Sequence, residues 1–299
     1  MTTDLSIEMA PRRRPRAPGR VTFWRALTAD GGALLGAGIV CLFILVGMFA
    51  PRLSPYDPLA SHLPNSLQKP SLRHPLGFDE FGRDILSRVM HGSRISLLIA
   101  LGATGSACIL GVSIGLAAGY RGSWVENVAL RLTDVMLAFP GILMALAIIA
   151  VLGRGTGNVM VAIGIYFTPF YVRLVRGLVL SVKERDYVEA ARGVGATDLR
   201  ILYRHIVPNI LGPVIVQTTL NIGAAILITS SLSFLGLGVQ PPTPEWGVML
   251  ANGRTYLRVA PHVATFPGLA IMLVVLGFNL LGDGLRDALD PTLRGQRGT

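Results

Sequence analysis

The chain has 299 residues, with 27 basic against 17 acidic for a net charge of +10, yet only 15% of its residues are charged and 51% are hydrophobic. A soluble domain carries about 25% charged residues to cover its surface, so this composition, with a mean hydropathy of +0.55, excludes an ordinary water-soluble enzyme. A nucleic-acid-binding module is excluded as well, because the arginines sit in short runs between apolar blocks instead of clustering with aromatics on one soluble face. Cys41 and Cys108 lie inside apolar segments, and the five histidines show no ligand spacing, so no disulfide framework and no metal site is expected.

A membrane-crossing helix needs about 20 mostly apolar residues for a hydrocarbon core of about 30 Å. Read between charges, the chain offers a basic tail over 1–30 and a first span over 31–51. A cleaved signal peptide is disfavoured there, because the run is near full span length and Met48–Phe49–Ala50 is a poor cleavage site. Residues 52–94 then form an extracytoplasmic segment, followed by a five-helix core over 95–282. Within that core the second span is 95–120, the third 135–153, the fourth 155–172 and the sixth 259–282. The uncharged stretch 205–244 is ambiguous: its apolar heart, Ile210 to Val239, is long for one span and short for two with a hairpin. Ser230, Ser231, Ser233, Gly236 and Gly238 suggest one tilted helix followed by an irregular segment from Val239 to Pro261. A seven-span reading would put the C-terminus outside.

The arginine bias favours six spans. With the N-terminus inside, 18 of the 27 basic residues fall on the inner side, six of them before the first span. The expected fold class is therefore an all-α polytopic membrane protein with six transmembrane helices, both termini cytoplasmic, and a C-terminal tail over 283–299.

Span two repeats small residues every four positions, Ala103, Ala107, Gly111, Gly115 and Gly119. These form a ridge that lets another backbone approach closely, so this span is expected to sit centrally in the bundle. Ionisable groups are nearly absent within the spans, which argues against an ion-coupled secondary carrier that would keep intramembrane relays. An intramembrane protease is disfavoured too, since the one span histidine, His205, lies at an inner edge, away from Ser106, Ser113 and Ser230. No catalytic set is expected. Span five carries a softer polar stripe of Gln217, Asn221, Thr229 and Ser231. Interhelical hydrogen bonding and a wetted translocation path both fit it.

The most informative segment is the inner loop from Lys183 to Leu211, KERDYVEAARGVGATDLRILYRHIVPNIL. It reads as helix, break, helix. Gly193 and Gly195 end the first helix through glycine's freedom in the left-handed region. Thr197 or Asp198 caps the second, running from Leu199 to His205, and Pro208 is expected to stop it just before span five. Alanines beside glycines make a low-relief knob that another protein can clasp; a basic amphipathic turn lying on lipid headgroups is the alternative.

Glu189–Ala190–Ala191, then Gly195 after three intervening residues, and Ile206–Val207–Pro208 together resemble the EAA loop of the permease subunits of bacterial ABC importers, with Val207 where that family usually carries Leu. His74 to Leu97 is similar to the stretch before the second span in the peptide-importer branch. Ser231 to Leu250 is similar to the outer loop of its C-type permease. The resemblance implies the type I importer permease fold and a place in the bacterial inner membrane. It also implies a complex with a second permease, two ATPase subunits and an extracytoplasmic solute-binding protein.

On this reading the loop at 184–208 couples to the ATPase through Glu189, Ala190, Ala191, Gly195, Ile206 and Pro208. Gln217, Asn221, Thr229 and Ser231 are candidates for the path. Gln240, Pro241, Pro242 and Trp246 are candidates for contact with the binding protein or the gate, or for a connector that only shapes the outer rim. The only lysines, Lys69 and Lys183, are followed by Pro70 and Glu184, so no phosphate-cradling Gly-Lys-Ser/Thr motif is present. ATP and magnesium are then expected to be used by partner subunits, with no cofactor bound by this chain. Di- and oligopeptides are the expected cargo, with nickel chelates or glutathione as the alternative.

Overall fold

A computed structural model describes residues 27–289, which include no strand beyond one isolated bridge between Phe78 and Asp84. Most of the basic N-terminal tail and residues 290–299 lie outside the described residues. The first helix, α1 (Gly31–Leu53), starts where Asp30 Oδ1 accepts hydrogen bonds from Gly32 N at 2.8 Å and Ala33 N at 3.3 Å. That cap satisfies backbone donors that the first turn cannot pair internally. Leu34, Leu42, Leu45 and Met48 are exposed along one side of α1, as a lipid-facing helix requires.

The second helix, α2 (Ile85–Arg121), is 37 residues long and starts well ahead of the uncharged run. Asp84 caps it, its Oδ2 accepting from Ser87 N at 2.8 Å. At about 1.5 Å per residue α2 spans about 55 Å, longer than the hydrocarbon core. Its extra turns are buried in the 52–84 segment, which is why charged Arg88 sits in a helix that also crosses the membrane.

The third span is not one helix. It is α3 (Ser123–Ala138) followed by α4 (Gly141–Leu152), bent by 96°. The break falls at Phe139–Pro140, both with extended ψ values, 137° and 127°. Proline has no N–H to donate and pushes the residue before it out of the helical region. The next helix, α5 (Thr156–Lys183), passes through Pro169 and continues beyond residue 172 to include Arg173, Arg176 and Lys183. Two carboxylates of α3 explain the extension: Asp134 pairs with Arg173 and Glu126 with Arg176, whose Nε donates to Oε1 at 2.8 Å.

The small-residue ridge of α2 meets α5 along its length. A Cβ placed on Gly115 would lie 2.8 Å from Val175 Cβ, and one on Gly119 2.8 Å from Val179 Cβ; Gly111 faces Tyr171 in the same way. Ala103 and Ala107 are fully buried. Lipid tails are as apolar as these side chains, so the association rests on close packing that only small residues allow. The order of contacts, 111 with 171, 115 with 175 and 119 with 179, means that α2 and α5 run parallel. The bent pair α3–α4 between them therefore carries the chain back across once and counts as a broken span, giving six crossings in all.

After α5 comes the short α6 (Asp186–Gly193), then α7 (Asp198–Phe234), one 37-residue helix with a π-helical turn at Leu202–Ile206. Pro208 does not stop this helix, contrary to expectation. It stands in the first turn after the π turn, where a missing N–H and a bulky ring are tolerated.

The outer segment after α7 is more ordered than its composition suggests, because it contains α8 (Trp246–Gly253) packed between α7 and the final helix, α9 (His262–Leu289). Gly36 of α1 meets the backbone of Gly277 and Leu281, and Ala33 meets Gly284. The start of α1 and the end of α9 thus lie together, at the same end of the bundle as α6. The 52–84 segment and α8 lie at the other.

Candidate functional site

The loop between α5 and α7 is held to the bundle by three fully buried apolar side chains, Val188, Ile201 and Ile206. Helix α6 ends in nested turns, Gly195 N donating to Arg192 O at 2.9 Å and Ala196 N to Ala191 O at 3.0 Å. Gly195 has φ +80°, with no heavy atom within 4 Å of a Cβ built there. Glycine is therefore required by the backbone and not by crowding. Thr197 occupies the cap of the following helix without a side-chain bond to it.

Burying Val188 turns Glu189 and Ala190 outward, while Ala191 is half-buried. Ala190 and Ala191, together with Tyr187, Gly195 and Arg204, border a shallow groove of about 480 Å³. The sequence motif is thus brought together on one surface at one end of the bundle, with two exceptions. Ile206 is fully buried, so it anchors the loop instead of offering a contact, and exposed Pro208 lies a turn further up α7.

The polar stripe of span five divides. Gln217 Nε2 donates to Asn221 Oδ1 at 2.8 Å, and Ser231 Oγ to the Leu227 carbonyl at 2.8 Å. Asn221 is buried and Thr229 fully so. The fully enclosed Thr229 does not line an open path in this conformation, a correction to its expected place. Half-buried Gln217 and Ser231 remain open to a surface. One polar contact that the sequence did not suggest joins two helices here: Tyr171 OH of α5 donates to Thr218 Oγ1 of α7 at 3.0 Å.

At the opposite end the outer candidates also divide. Pro241 and Pro242 are exposed and joined by a cis peptide, and Gln240 Nε2 donates to Gly238 O at 3.0 Å. Trp246 is fully buried, its Nε1 donating to Val89 O at 3.0 Å and its ring edge-on to Phe43 at 5.6 Å. It is an internal anchor and not a surface contact.

The neighbouring Glu245 was missed in the sequence. It is fully buried and caps α8, accepting from Gly247 N at 2.9 Å and Val248 N at 3.0 Å, with Ser96 Oγ at 3.2 Å. Burial raises its pKa, partly offset by these bonds. The available signal was an acid directly before the apolar run WGVMLA, the position of a helix cap.

A second missed feature is a buried ion cluster. Arg83 Nε donates to Asp79 Oδ2 at 2.6 Å, and Arg88 Nε lies 3.3 Å from the same oxygen. Arg88 also reaches Pro58 O at 2.9 Å, and Asn252 of α8 reaches Glu80 Oε1 at 3.1 Å. These bonds tie the 52–84 segment, α2 and α8 into one body. Among the described residues no group of three or more His, Cys, Asp or Glu could hold a metal ion.

Residues 111–295 match the family of binding-protein-dependent transport system inner membrane components, and residues 21–70 match the N-terminal transmembrane domain of oligopeptide transport permease C. The chain belongs to this family of ABC importer permeases, in its oligopeptide-type branch, and is a multi-pass inner-membrane protein. It is 46% identical over 278 residues to the dipeptide transport system permease protein DppC of Alkalihalophilus pseudofirmus, covering 93% of this chain and 91% of that one. It is 48% identical over 274 residues to the glutathione transport system permease protein GsiD of an Escherichia coli strain, covering 91% and 90%. Among solved structures, an inward-facing form of the MetNI methionine ABC transporter superposes with a TM-score of 0.55 at 17% identity, over 69% of this chain and 98% of that one. That likeness bears on the fold and supports the type I permease architecture.

Proposed function

We propose that this chain forms half of the translocation path of an importer for di- and oligopeptides, with glutathione as the alternative cargo, and that it receives its drive through residues 184–208. The observation that carries the reading is the outward-facing Glu189 and Ala190, with half-buried Ala191 beside them, on a short helix closed by Gly195 at the end of the bundle away from the 52–84 segment. The relatives named for dipeptide and glutathione transport supply the cargo class.

In this reading the loop faces the cytoplasm, and both chain termini share that side. Glu189 pairs with a basic side chain of an ATPase subunit, and Ala190 and Ala191 seat against it. A second, paralogous permease completes the path. Two ATPase subunits hydrolyse ATP with magnesium, and an extracytoplasmic binding protein delivers cargo to the end bearing Pro241 and Pro242. Closure of the ATPases moves the loop and tilts the helices as rigid bodies between inward- and outward-facing states.

Two measurements test this. Ala191→Leu puts a branched side chain on the seating surface; the expected result is loss of ATPase co-purification and of uptake, with normal membrane insertion. Wild-type co-purification and uptake by that variant would overturn the proposal. For orientation, Thr197→Cys in a Cys41→Ala/Cys108→Ala background should react with a membrane-impermeant maleimide in inside-out vesicles only. Uptake of radiolabelled dialanine against glutathione by the reconstituted complex then separates the cargoes.

A further inference from the structure

We propose that Tyr120 is a positioning residue that latches the coupling loop to the inner end of α2, so that α2 and not α7 alone takes up the loop's displacement. This rests on the reading of residues 184–208 as the loop that the ATPase drives.

The last turn of α2 is the meeting point of three parts of the loop. Tyr120 OH donates to Asp198 Oδ1 at 2.6 Å, reaching the first residue of α7. Lys183 Nζ, where the loop begins, donates to the Gly119 carbonyl at 3.0 Å. The Arg192 guanidinium of α6 lies over the Tyr120 ring, 5.8 Å from its centroid, within cation–π range. One tyrosine thus touches both helices of the loop.

Two routes lead from the loop into the membrane, and they differ in stiffness. The route through α7 passes the π turn at Leu202–Ile206 with Pro208 two residues beyond it. Such an insertion is a place where a helix bends. The route through α2 enters a continuous 37-residue helix whose glycine ridge is packed on α5. A push given to Asp198 can be absorbed at the π turn unless Asp198 is also tied to the stiff helix, and the hydroxyl of Tyr120 supplies that tie. Beyond it Gly122 and Ser123, at φ +64° and +55°, turn the chain into α3. There the Glu126–Arg176 and Asp134–Arg173 pairs carry the same motion to the broken span. The Tyr120–Asp198 bond is solvent-exposed, so it adds little to global stability.

The test uses the complete complex of permeases and ATPases in proteoliposomes, and reads the ratio of ATPase rates with and without the purified binding protein. Tyr120→Phe keeps the ring beneath Arg192 and removes only the hydroxyl; Asp198→Ala removes the same bond from the other side. The expected result is a roughly three- to tenfold fall in that ratio in each variant, as for loss of one charge-assisted hydrogen bond that biases two states. ATPase subunits should be retained at wild-type stoichiometry, and Tyr120→Phe/Asp198→Ala should be no worse than either single change. A wild-type ratio in both single variants overturns the latch, as does a fall in one without the other. Ala191→Leu in the same preparation separates the failures. If it loses the ATPase while both latch variants keep the wild-type ratio, the latch alone is wrong; if all three behave as wild type, the latch falls together with the reading of the loop.

Discussion

The two ends of the bundle are built on opposite plans. The outer end carries buried charges: Asp79, Arg83, Arg88 and Glu245 are all buried, Asp79 and Arg83 paired within one turn, Arg88 and Glu245 bonded across segments far apart in the chain. The inner loop does the reverse. Its charged residues are at the surface, three apolar anchors hold it down, and its turn at Gly195 has open space around it. A buried charge network is intolerant of movement, because each displaced group leaves another uncompensated in low dielectric. A thin loop on few anchors can shift as a unit. The outer end is thus suited to hold a shape and the inner end to transmit a displacement.

The sharpest way to break this contrast is at the outer cluster. Arg88→Met leaves Asp79 with Arg83 as its remaining ion-pair partner and strips the donor from the Pro58 carbonyl, with an expected loss of up to about 3 kcal/mol. It should show as a large fall in the thermal midpoint of the purified protein or as failure to accumulate; a midpoint equal to wild type would mean that the cluster holds nothing together. Next is the helix contact that both ends share. Gly115→Val drives a branched side chain into Val175, costing about 1–3 kcal/mol. Gly177→Val, on the same bundle but with nothing within 4 Å, should leave the midpoint unchanged, so equal effects would remove the ridge from the account.

Glu245→Gln is smaller, at about 1 kcal/mol, because one oxygen acceptor facing a backbone N–H is replaced by a donor. It also has a pH signature. The native pKa is raised by burial, so the native state binds the proton more tightly than the unfolded chain. That stabilisation is full below the ordinary carboxylate value and is lost as pH rises through the native value. The Gln variant should flatten the wild-type decline in midpoint above the ordinary carboxylate range. The smallest effect belongs to the inner loop: Gly195→Ala strains a φ of +80° by about 1 kcal/mol. Hydrogen exchange should quicken over residues 186–201 with little change in the global midpoint. A global shift would mean that the loop is not a separate unit.

Much of this was legible from residue types alone. Charge-free runs of span length, the four-residue spacing of glycines in α2, and Glu189–Ala190–Ala191 with Gly195 each act through local chemistry. The break at Phe139–Pro140 was available as a proline signal, yet the apolar run around it masked it. The continuation of α7 past Pro208 was not available, because it depends on a π turn stabilised by burial of Ile201 and Ile206.

Amino-acid order by itself determined that the chain is a helical membrane protein, where most of its helices lie, and which short helix carries Glu189–Ala190–Ala191. Those properties follow from apolar length and from backbone preferences at single positions. Tertiary structure alone decided that Trp246 and Thr229 face inward, that Glu245 and Arg88 are buried with partners more than 140 and about 30 residues away, and that Tyr120 touches Asp198 across 78 positions. Such pairings depend on how parallel and antiparallel helices settle against one another, and no local pattern along the chain encodes the partner of a side chain on another helix.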